Sequence, residues 1–375
     1  EDNFRNGIRV YLKKYYEKNT ILDNFLSCMS EESGVDINSW SKQWLETTGV
    51  NTLKPKLNNN SCIVQQLPSA NNNQLRDHAI LYENYSIVNN EPTIVDEGKI
   101  FIKGENSEFD INQSGDFLLL NAKDHDYIKV FFEERDIEFI SQHVSSIKDR
   151  FTRRIIWGNL WQMVRDNALS PIKFLEMIKK HLVLEKDITL IQGQLSTKAS
   201  AIISIFLTKE NRKKWSDTFF NLAFKTLNND GDEETQITWF DLLLSCANET
   251  SSLNKMKQLL DGEISFKNLT IDQDKRWRIV NRLCAYNIAS PLKLIEVEKK
   301  NDPGDLGKKK AYLATVSIPD LKNKTKNWDA FNSNKENLST DFMRYGMSGF
   351  FWPNQTELLS QFINPFFHHL EIGRA

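Results

Sequence analysis

The fold of this chain changes at the stretch Ser39-Trp-Ser-Lys-Gln-Trp-Leu-Glu-Thr-Thr-Gly-Val-Asn-Thr-Leu-Lys-Pro55. Trp40, Trp44 and Leu45 recur at i, i+4 and i+5, which predicts one apolar stripe on a helix. Gly49 suits a left-handed helix cap, and Pro55 cannot continue a helix. The stretch therefore predicts the end of an amphipathic helix, followed by a turn into a strand.

On the N-terminal side of this stretch, the chain has a helical pattern from Phe4 onward. Ile8, Leu12 and Tyr15 recur at helical spacing. Capping side chains in Asp36-Ile-Asn-Ser39 stand before the third helix. Three helices are therefore predicted before the β-rich part begins. The second of them carries an apolar stripe formed by Ile21, Leu22, Phe25, Leu26 and Met29.

From the C-terminal end of the stretch onward, residues 52–129 have the sequence pattern of a β module. Polar loop residues at Asn58–Ser61 and Ala70–Asn73 separate short runs that are rich in β-forming residues. Several such runs in succession predict a small antiparallel β-sandwich. The runs are Cys62–Leu67, His78–Tyr82, Lys99–Lys103 and Phe117–Leu120.

From about Asp136 to the end the pattern is helical again. Pro171 follows Ser170 and Pro291 follows Ser290, so each proline is predicted to open a helix behind a serine N-cap. Successive helices joined by short polar turns, without a clean repeat period, predict an irregular α-solenoid or helical array. The predicted fold class is mainly α with a small β module: a short helical segment, an antiparallel β-sandwich and a long helical array.

Composition argues against several classes of function. The net charge is −2 and the pI is near 6.4, so neither nucleic acid nor a membrane surface is an expected partner. No apolar run approaches the roughly 20 residues that a membrane-spanning helix needs. The four cysteines are scattered and form no C-x-x-C pair. This favours buried, reduced thiols and a cytoplasmic setting over a disulfide framework or a structural zinc site.

No catalytic centre is predicted within this chain. None of the six histidines stands in H-E-x-x-H, the spacing that puts two imidazoles on one helix face to bind zinc. Nucleophile-elbow, P-loop and dinucleotide motifs are also absent from the sequence. His125 lies in Asp124-His125-Asp126, where a turn between strands explains the residues better than a metal site does. We therefore predict no catalytic residue and no metal ligand here.

The strongest cluster of aromatic and basic residues is Arg150–Asp166. Trp157 and Trp161 are i, i+4 partners on a predicted helix, and aromatic stripes at this spacing usually belong to the core. The alternative is a basic and aromatic wall that faces a peptide groove. In that case Arg153 or Arg154 could bind a substrate carboxylate through bidentate hydrogen bonds.

Two further clusters follow along the chain. In Asp272–Leu283 the acidic residues complement the dipole at the start of a predicted helix, and Arg276 and Trp277 then enter it. For Arg276 an ion pair within the helical array is the preferred interpretation, and contact with substrate is the alternative. The third cluster, Gly346–Gln355, is predicted to form a glycine-flexed aromatic turn that packs the final helices.

In these clusters and the opening stretch the chain resembles the aminopeptidase N family of gluzincin zinc metallopeptidases. The resemblance runs in order over nearly the whole chain and implies three domains: the last helices of a thermolysin-like catalytic domain (1–51), a small β-sandwich (52–129) and a C-terminal helical domain (130–375). The motifs that carry it are W-x-x-x-W-L-x-T-x-G-x-N-T-L from Trp40, Trp157-x-x-x-Trp161-x-Met-x-Arg-Asp166, Leu259-Leu-Asp-Gly262, Asp272-x-Asp-x-Arg-Trp277 and Gly349-Phe-Phe-x-x-x-Gln355.

The resemblance implies that the chain is the C-terminal part of an exopeptidase acting on short peptides. The complete enzyme would bind zinc in its N-terminal catalytic half, which would be the partner of this chain, while no cofactor belongs to the chain itself. The helical domain would cover the substrate chamber, with Arg153, Arg154 and Arg276 as candidates for guiding the peptide carboxylate. A non-catalytic helical module that binds peptides or proteins is the alternative function.

Overall fold

The computed structural model describes residues 2–58, 60–229, 231–332 and 338–372, with side chains described up to His368. Within it the chain divides into two compact units, Glu1–Ser170 and Pro171–Ala375. Helices dominate, and a small β module follows the first three of them, which confirms the predicted fold class. The division into domains at residues 51/52 and 129/130 stays a prediction.

In the described residues of the first unit, three helices are followed by seven strands and then by two further helices, which a 3₁₀ turn (Val144–Ser146) separates. Helix α3 begins as its sequence predicts, because the Asp36 side chain accepts a hydrogen bond from the Asn38 amide. The helices are α1 (Asp2–Lys14), α2 (Leu22–Ser33), α3 (Ile37–Trp44), α4 (Glu134–His143) and α5 (Arg150–Arg165). The strands are β1 (Thr52–Asn58), β2 (Ser61–Leu67), β3 (His78–Val88), β4 (Glu91–Ile102), β5 (Asn106–Asp110), β6 (Phe117–Ala122) and β7 (Lys129–Val130).

The turn after α3 differs in detail from the prediction. Gly49 has a φ of +87°, but it lies well beyond Trp44 and does not cap the helix, whose C-cap is Leu45 in a right-handed conformation. A Cβ at Gly49 would overlap the Ser69 side chain, so the glycine serves a close approach as well as a left-handed turn. The closing proline lies inside β1, opposite Val64 of β2.

Helices α1–α3 leave much of their apolar surface uncovered. Tyr11 of α1 packs edge-on against Phe25 of α2, with ring centroids 5.5 Å apart, so the two helices do contact each other. The stripe predicted in α3 is nevertheless largely open, since Trp40 is 47% exposed. The large hydrophobic residues exposed in this segment are Phe4, Leu12, Tyr16, Ile21, Leu22, Val35, Trp40 and Leu45.

The β module is a two-sheet sandwich. One sheet has the strand order β5-β2-β1-β7 and the other has the order β4-β3-β6. All pairings among the described strands are antiparallel except β1 with β7, which is parallel and forms one edge. The Tyr82 ring of one sheet lies 5.1 Å from the Phe109 ring of the other. Phe117–Leu120 of β6 are buried, and Phe139 of α4 stacks on Phe117 at 5.3 Å.

A buried arginine between β2 and β3 ties the opening stretch to the sandwich. Arg76 is 2% exposed, and its guanidinium lies over the Trp44 ring at 5.2 Å. It donates to the Gln43 carbonyl at 2.9 Å, to the Thr47 hydroxyl at 2.6 Å and to the Asn51 amide oxygen at 3.2 Å. Its donors are thus satisfied by neutral acceptors on the turn, and the turn gains a fixed geometry.

The described residues of the second unit are mainly helical, with an isolated β-bridge between Phe266 and Leu269. Ile191–Ser196 and Ile202–Phe206 are π-helical segments on either side of a short α-helix. The helices are α6 (Pro171–Leu182), α7 (Ile188–Leu190), α8 (Thr197–Ala201), α9 (Lys209–Leu227), α10 (Glu233–Cys246), α11 (Thr250–Asp261), α12 (Gln273–Ala285), α13 (Pro291–Asn301), α14 (Asp305–Ser317), α15 (Leu321–Asn332), α16 (Thr340–Phe350), α17 (Thr356–Leu359) and α18 (Ile363–Ile372).

Two local predictions in this unit are wrong. Ser290 precedes the proline that opens α13, but its φ is +54° and its side chain makes no cap hydrogen bond. The glycines of the third cluster, which were predicted to flex a turn, lie in the last part of helix α16, and the chain turns only after them, at residues 351–355. These glycines allow close helix packing, because a Cβ at Gly346 would lie 2.6 Å from Tyr312 of α14 and one at Gly349 would overlap the Leu313 carbonyl.

All four cysteines are free and buried, which confirms the prediction made from their spacing. Burial raises the pKa of the Cys62 and Cys284 thiols to about 12 each and that of Cys246 to about 11. These three thiols are therefore protonated at neutral pH and poor nucleophiles.

Candidate functional site

Arg153 and Arg154 are neighbours on α5, but they have different surroundings. Arg153 is half-buried and donates from one guanidinium nitrogen to the carbonyls of Ile147 and Lys148, at 2.8 and 3.1 Å. It therefore ties the start of the helix to the preceding loop. Arg154 is exposed. Whether either side chain faces a substrate stays a prediction.

Arg276 of α12 forms a bidentate ion pair with Glu298 of α13. Its Nε and one terminal nitrogen each lie 2.8 Å from a carboxylate oxygen, and its other terminal nitrogen donates to the Leu260 carbonyl at 3.0 Å. The Glu298 side chain is 1% exposed, and Gln273 donates to it at 2.7 Å. Burial acts to raise the pKa of Glu298, but the bonds from Arg276 and Gln273 outweigh it and lower the pKa.

This ion pair leaves Arg276 little capacity for a ligand. The guanidinium of Arg276 donates to one carboxylate and one carbonyl, and this geometry holds neighbouring helices together. Hydrogen bonding to Glu298 raises the pKa of Arg276, so the pair is charged at any physiological pH. Contact of Arg276 with substrate stays a prediction that no observation here tests.

The second unit also contains a groove of about 760 Å³ that sequence reasoning missed. We refer to it as the basic groove. Three cations from the first turns of α9 line it, together with residues of the connection between α16 and α17. Its lining residues are Lys209, Arg212, Lys213, Asn248, Glu249, Ala285, Tyr286, Pro319 and residues 353–358.

The charges around the basic groove are unevenly balanced. Arg212 donates to the carbonyls of Ile203, Leu207 and Pro353, at 3.0, 3.4 and 3.5 Å, and within the described part of the chain no carboxylate pairs with it. Lys213 has a partner in Glu249, with a nitrogen–oxygen distance of 3.6 Å. Because carbonyls solvate a cation without neutralising it, Arg212 contributes a net positive charge to the groove wall.

A second arginine, for which the described residues supply no carboxylate partner, contacts Tyr286 of the groove. Arg282 donates to the carbonyls of Leu244 and Ser245 and lies between two rings, 5.5 Å from the Tyr286 centroid and 5.4 Å from the Trp352 centroid. Burial lowers the pKa of the Arg282 guanidinium. Tyr286 itself donates to Asn248 at 2.5 Å, which fixes the phenol at the groove wall.

The described residues do not form a metal centre. No group of three or more His, Cys, Asp or Glu side chains that could hold a metal ion occurs among them. His125 lies exposed in a turn after β6, in which Lys123 and Asp124 have left-handed backbone conformations. The neighbouring Asp126 carboxylate accepts a hydrogen bond from Nδ1 of the buried His78 at 2.9 Å, so this carboxylate has a structural partner.

Comparison with known proteins now gives the family. The family model described as ERAP1-like C-terminal domain matches residues 117–372, which is more than half of the chain. The chain belongs to this family. The ERAP1-like C-terminal domain thus includes β6, β7 and the helices from α4 onward, together with all three candidate arginines and the basic groove. The resemblance to aminopeptidase N, stated from the sequence motifs, is confirmed.

A relative extends the similarity beyond the ERAP1-like C-terminal domain. Aminopeptidase N of Streptomyces lividans is 25% identical over 401 residues, an alignment that covers 99% of this chain and 45% of that protein. The chain therefore spans less than half the length of this relative. Among the described helices, none is long and apolar enough to cross a membrane.

The sequence contains a pattern from which the basic groove could have been predicted. Lys209-Glu-Asn-Arg-Lys-Lys214 directly follows the N-cap Thr208, which accepts a hydrogen bond from the Asn211 amide. Cations at a helix N-terminus oppose the helix dipole, so Lys209 at the start of α9 goes against the usual pattern, whereas Glu210 in the same turn follows it. A local conflict of this kind often marks a functional position.

Proposed function

We propose that this chain is the C-terminal part of a zinc aminopeptidase that removes N-terminal amino acids from short peptides. The observation that supports this most strongly is the alignment, in which nearly the whole chain corresponds to 45% of an aminopeptidase N. In this proposal the partner is an N-terminal catalytic half that holds the zinc. Residues 1–51 complete that half, the sandwich 52–129 follows, and the helices of 130–375 cover the substrate chamber.

The exposed side chains of α1–α3 support the proposal over a free-standing interaction module. Eight large hydrophobic residues are uncovered in this short segment, and Trp40 and Leu45 lie on the same predicted stripe. Burying apolar surface contributes about 25 cal/mol per Å², so a permanent partner that covers these side chains would be stabilising. The rest of a catalytic domain would supply one.

Within the described part of the chain, no set of side chains fits the zinc of the complete enzyme. The described residues contain no suitable cluster of ligands, so no step of peptide hydrolysis is assigned to them. The contribution of the chain is the shape of the chamber and the exclusion of water from it. Arg153, Arg154 and Arg276 stay our candidates for guiding the peptide carboxylate. The buried thiols accord with a cytoplasmic setting, which we include in the proposal.

The proposal can be tested with two preparations. The 375-residue chain alone should not hydrolyse an alanine p-nitroanilide substrate, with or without added zinc. The protein encoded together with the preceding sequence should do so and lose the activity when zinc is chelated. That preceding sequence should contain H-E-x-x-H and a later glutamate ligand. Zinc-dependent turnover by the short chain, or a preceding sequence without this motif, would contradict the proposal.

A further inference from the structure

A buried hydrogen-bond network lies where the opening stretch meets the β-sandwich, and a histidine stands at its centre. His78, the first residue of β3, is 2% exposed. Its Nδ1 lies 2.9 Å from the Asp126 carboxylate, and its Nε2 lies 3.0 Å from Oε1 of Gln66 in β2. The Trp44 ring of α3 lies perpendicular to the imidazole, with the ring centroids 5.4 Å apart. The function proposed above assigns no role to this network.

The orientation of the Gln66 amide is fixed by its other hydrogen bonds. Its nitrogen donates to the Gly104 carbonyl at 2.8 Å, and a carbonyl can only accept. Its oxygen accepts the backbone N–H of Arg76 at 3.2 Å, and an N–H can only donate. Exchanging the nitrogen and oxygen positions would break both bonds. The Gln66 atom that faces Nε2 of His78 is therefore an acceptor, and Nε2 has to donate to it.

The other ring nitrogen of His78 also faces an acceptor. The second carboxylate oxygen of Asp126 accepts the backbone N–H of Tyr127 at 2.8 Å, and this bond favours the ionised carboxylate. Aspartic acid is a stronger acid than an imidazolium, so the proton between Asp126 and Nδ1 belongs to the histidine. A neutral imidazole has a single N–H, whereas both nitrogens of His78 have to donate here.

The charges around His78 are balanced by Asp126. Arg76 lies over the Trp44 ring at 5.2 Å and opposes a second cation nearby, but the Asp126 carboxylate offsets this because it bonds directly to the imidazole. On β4 the cross-strand neighbour of His78 is the apolar Ile102. Lys129 of β7 is paired with Asp166. The other titratable side chains on the surrounding segments are exposed and strongly screened: Lys42, Glu46, Asp77, Lys103, Glu105, Lys123, Asp124 and His125.

We infer that His78 is a buried imidazolium that fastens the turn after α3 to the sandwich, and that loss of its proton at alkaline pH loosens this turn. Without the Nε2 proton, the nitrogen lone pair would face Oε1 of Gln66, and two acceptors at 3.0 Å repel each other. Gln66 then has to move away. It also accepts from the backbone of Arg76, whose guanidinium holds the Gln43 carbonyl and the Thr47 hydroxyl. The inference does not depend on peptidase activity.

The direction of the pH effect follows from the protons that each state binds. An unfolded histidine releases its second proton near pH 6.5. Above this pH the folded chain binds a proton at His78 that the unfolded chain has lost. The stability that His78 contributes is therefore complete below about pH 6.5 and is lost as the pH rises, by up to a tenfold change in the unfolding equilibrium per pH unit.

Nuclear magnetic resonance of the 375-residue chain with nitrogen-15 histidine tests the charge directly. At about pH 7.5, one unit above the release pH of an unfolded histidine, both ring nitrogens of His78 should carry a bonded proton. In Asp126→Asn, His78 should lose its second proton about one pH unit lower, because the carboxylate is gone. The indole N–H signal of Trp44 should change over the same pH range as His78.

Three results of this titration would overturn the inference. The first is a His78 ring with one protonated nitrogen at that pH. The second is the same His78 titration in the unaltered chain and in Asp126→Asn. The third is a Trp44 signal that does not respond while His78 titrates, since the turn would then be independent of the proton.

Urea denaturation at a series of pH values tests the linkage to folding. The unaltered chain and His78→Gln are compared at each pH, so that groups common to both chains, including Lys324, cancel. The destabilisation by His78→Gln should be largest near pH 6 and shrink by up to tenfold in the unfolding equilibrium per unit at higher pH. His125→Gln removes an exposed histidine and should give a difference that does not vary with pH. A pH-independent difference for His78→Gln would contradict the inference, and if this variant does not fold, the resonance titration decides.

Discussion

Helices α1 and α3 have amphipathic patterns in the sequence like that of helix α12, but they differ from it in what covers them. Helix α12 buries Trp277, Ile279, Val280 and Leu283 almost completely. Helix α1 buries only a glycine and helix α3 only a serine. Apolar spacing therefore predicts that a helix forms and which face is apolar, whereas burial depends on a partner that spacing does not identify.

The largest effect that tests this comparison concerns the two tryptophans. Trp277 is 2% exposed and donates to Asp302 at 2.9 Å, so Trp277→Ala should lower the free energy of unfolding by about 3–5 kcal/mol. Trp40 is 47% exposed, and Trp40→Ala should change it by less than about 0.5 kcal/mol in this chain. Guanidinium denaturation measures both. A large loss for Trp40→Ala would mean that α3 is covered after all.

The next effect concerns the arginines. Arg276→Ala leaves the buried Glu298 without its charge partner and should cost about 2–3 kcal/mol. The exposed Arg154 is the matched control, and its alanine variant should stay within about 0.5 kcal/mol. In the complete enzyme, Arg154→Ala should raise KM for short peptides if it guides the carboxylate. Unchanged kinetics would remove Arg154 from the proposed chamber.

A smaller effect is expected where helices α14 and α16 approach closely. A Cβ at Gly349 of α16 would overlap the backbone carbonyl of Leu313, so Gly349→Ala should cost about 1–3 kcal/mol. Gly158 lies inside α5 with open space around it, and Gly158→Ala should instead stabilise by about 0.5–1 kcal/mol. Melting temperatures of the two variants should move in opposite directions. Movement in the same direction would contradict the close packing of α14 and α16.

The most gradual effect is a pH dependence from Lys324 of α15. This side chain is fully buried, donates to the Phe350 carbonyl at 2.6 Å, and has its pKa lowered by burial to about 7. An unfolded lysine has a pKa of about 10.4. Between these values the unfolded chain binds a proton that the folded chain does not, so the free energy of unfolding rises with pH, by up to about 1.4 kcal/mol per unit.

The variant Lys324→Met should flatten this slope between pH 7 and 10. The exposed neighbour Lys322 provides the control, since Lys322→Met should leave the slope unchanged. Urea denaturation at a series of pH values gives the slopes. Equal slopes for the unaltered chain and Lys324→Met would show that Lys324 does not titrate in this range.

Much of the fold could be predicted from local patterns. The four predicted runs lie in β2, β3, β4 and β6, and Pro171 and Pro291 open α6 and α13. The missed strands depend on distant partners: β7 has two residues and exists only through its pairing with β1. The glycines of α16 also suit a flexible turn, because a flexible turn and close helix packing both favour glycine. Their presence in the sequence therefore does not distinguish the two.

The site was less predictable than the fold. Arg276 was identified from its cluster, but its partner Glu298 lies on another helix and could not be named from spacing. The basic groove combines α9 with residues that follow α12 and α16, far apart in the sequence. Arg76 was missed for a similar reason, because only the folded turn supplies the carbonyl and hydroxyl groups that satisfy it.

The buried thiols have a practical consequence. The pKa values of Cys62, Cys246 and Cys284 are raised, and all four cysteines are buried. Alkylating reagents should therefore not modify the cysteines of the native chain. The folded protein thus behaves as though it had no cysteine. A single cysteine introduced in place of Lys209 or Lys322 could then carry a fluorescent or spin label at one chosen position, without first removing the natural ones.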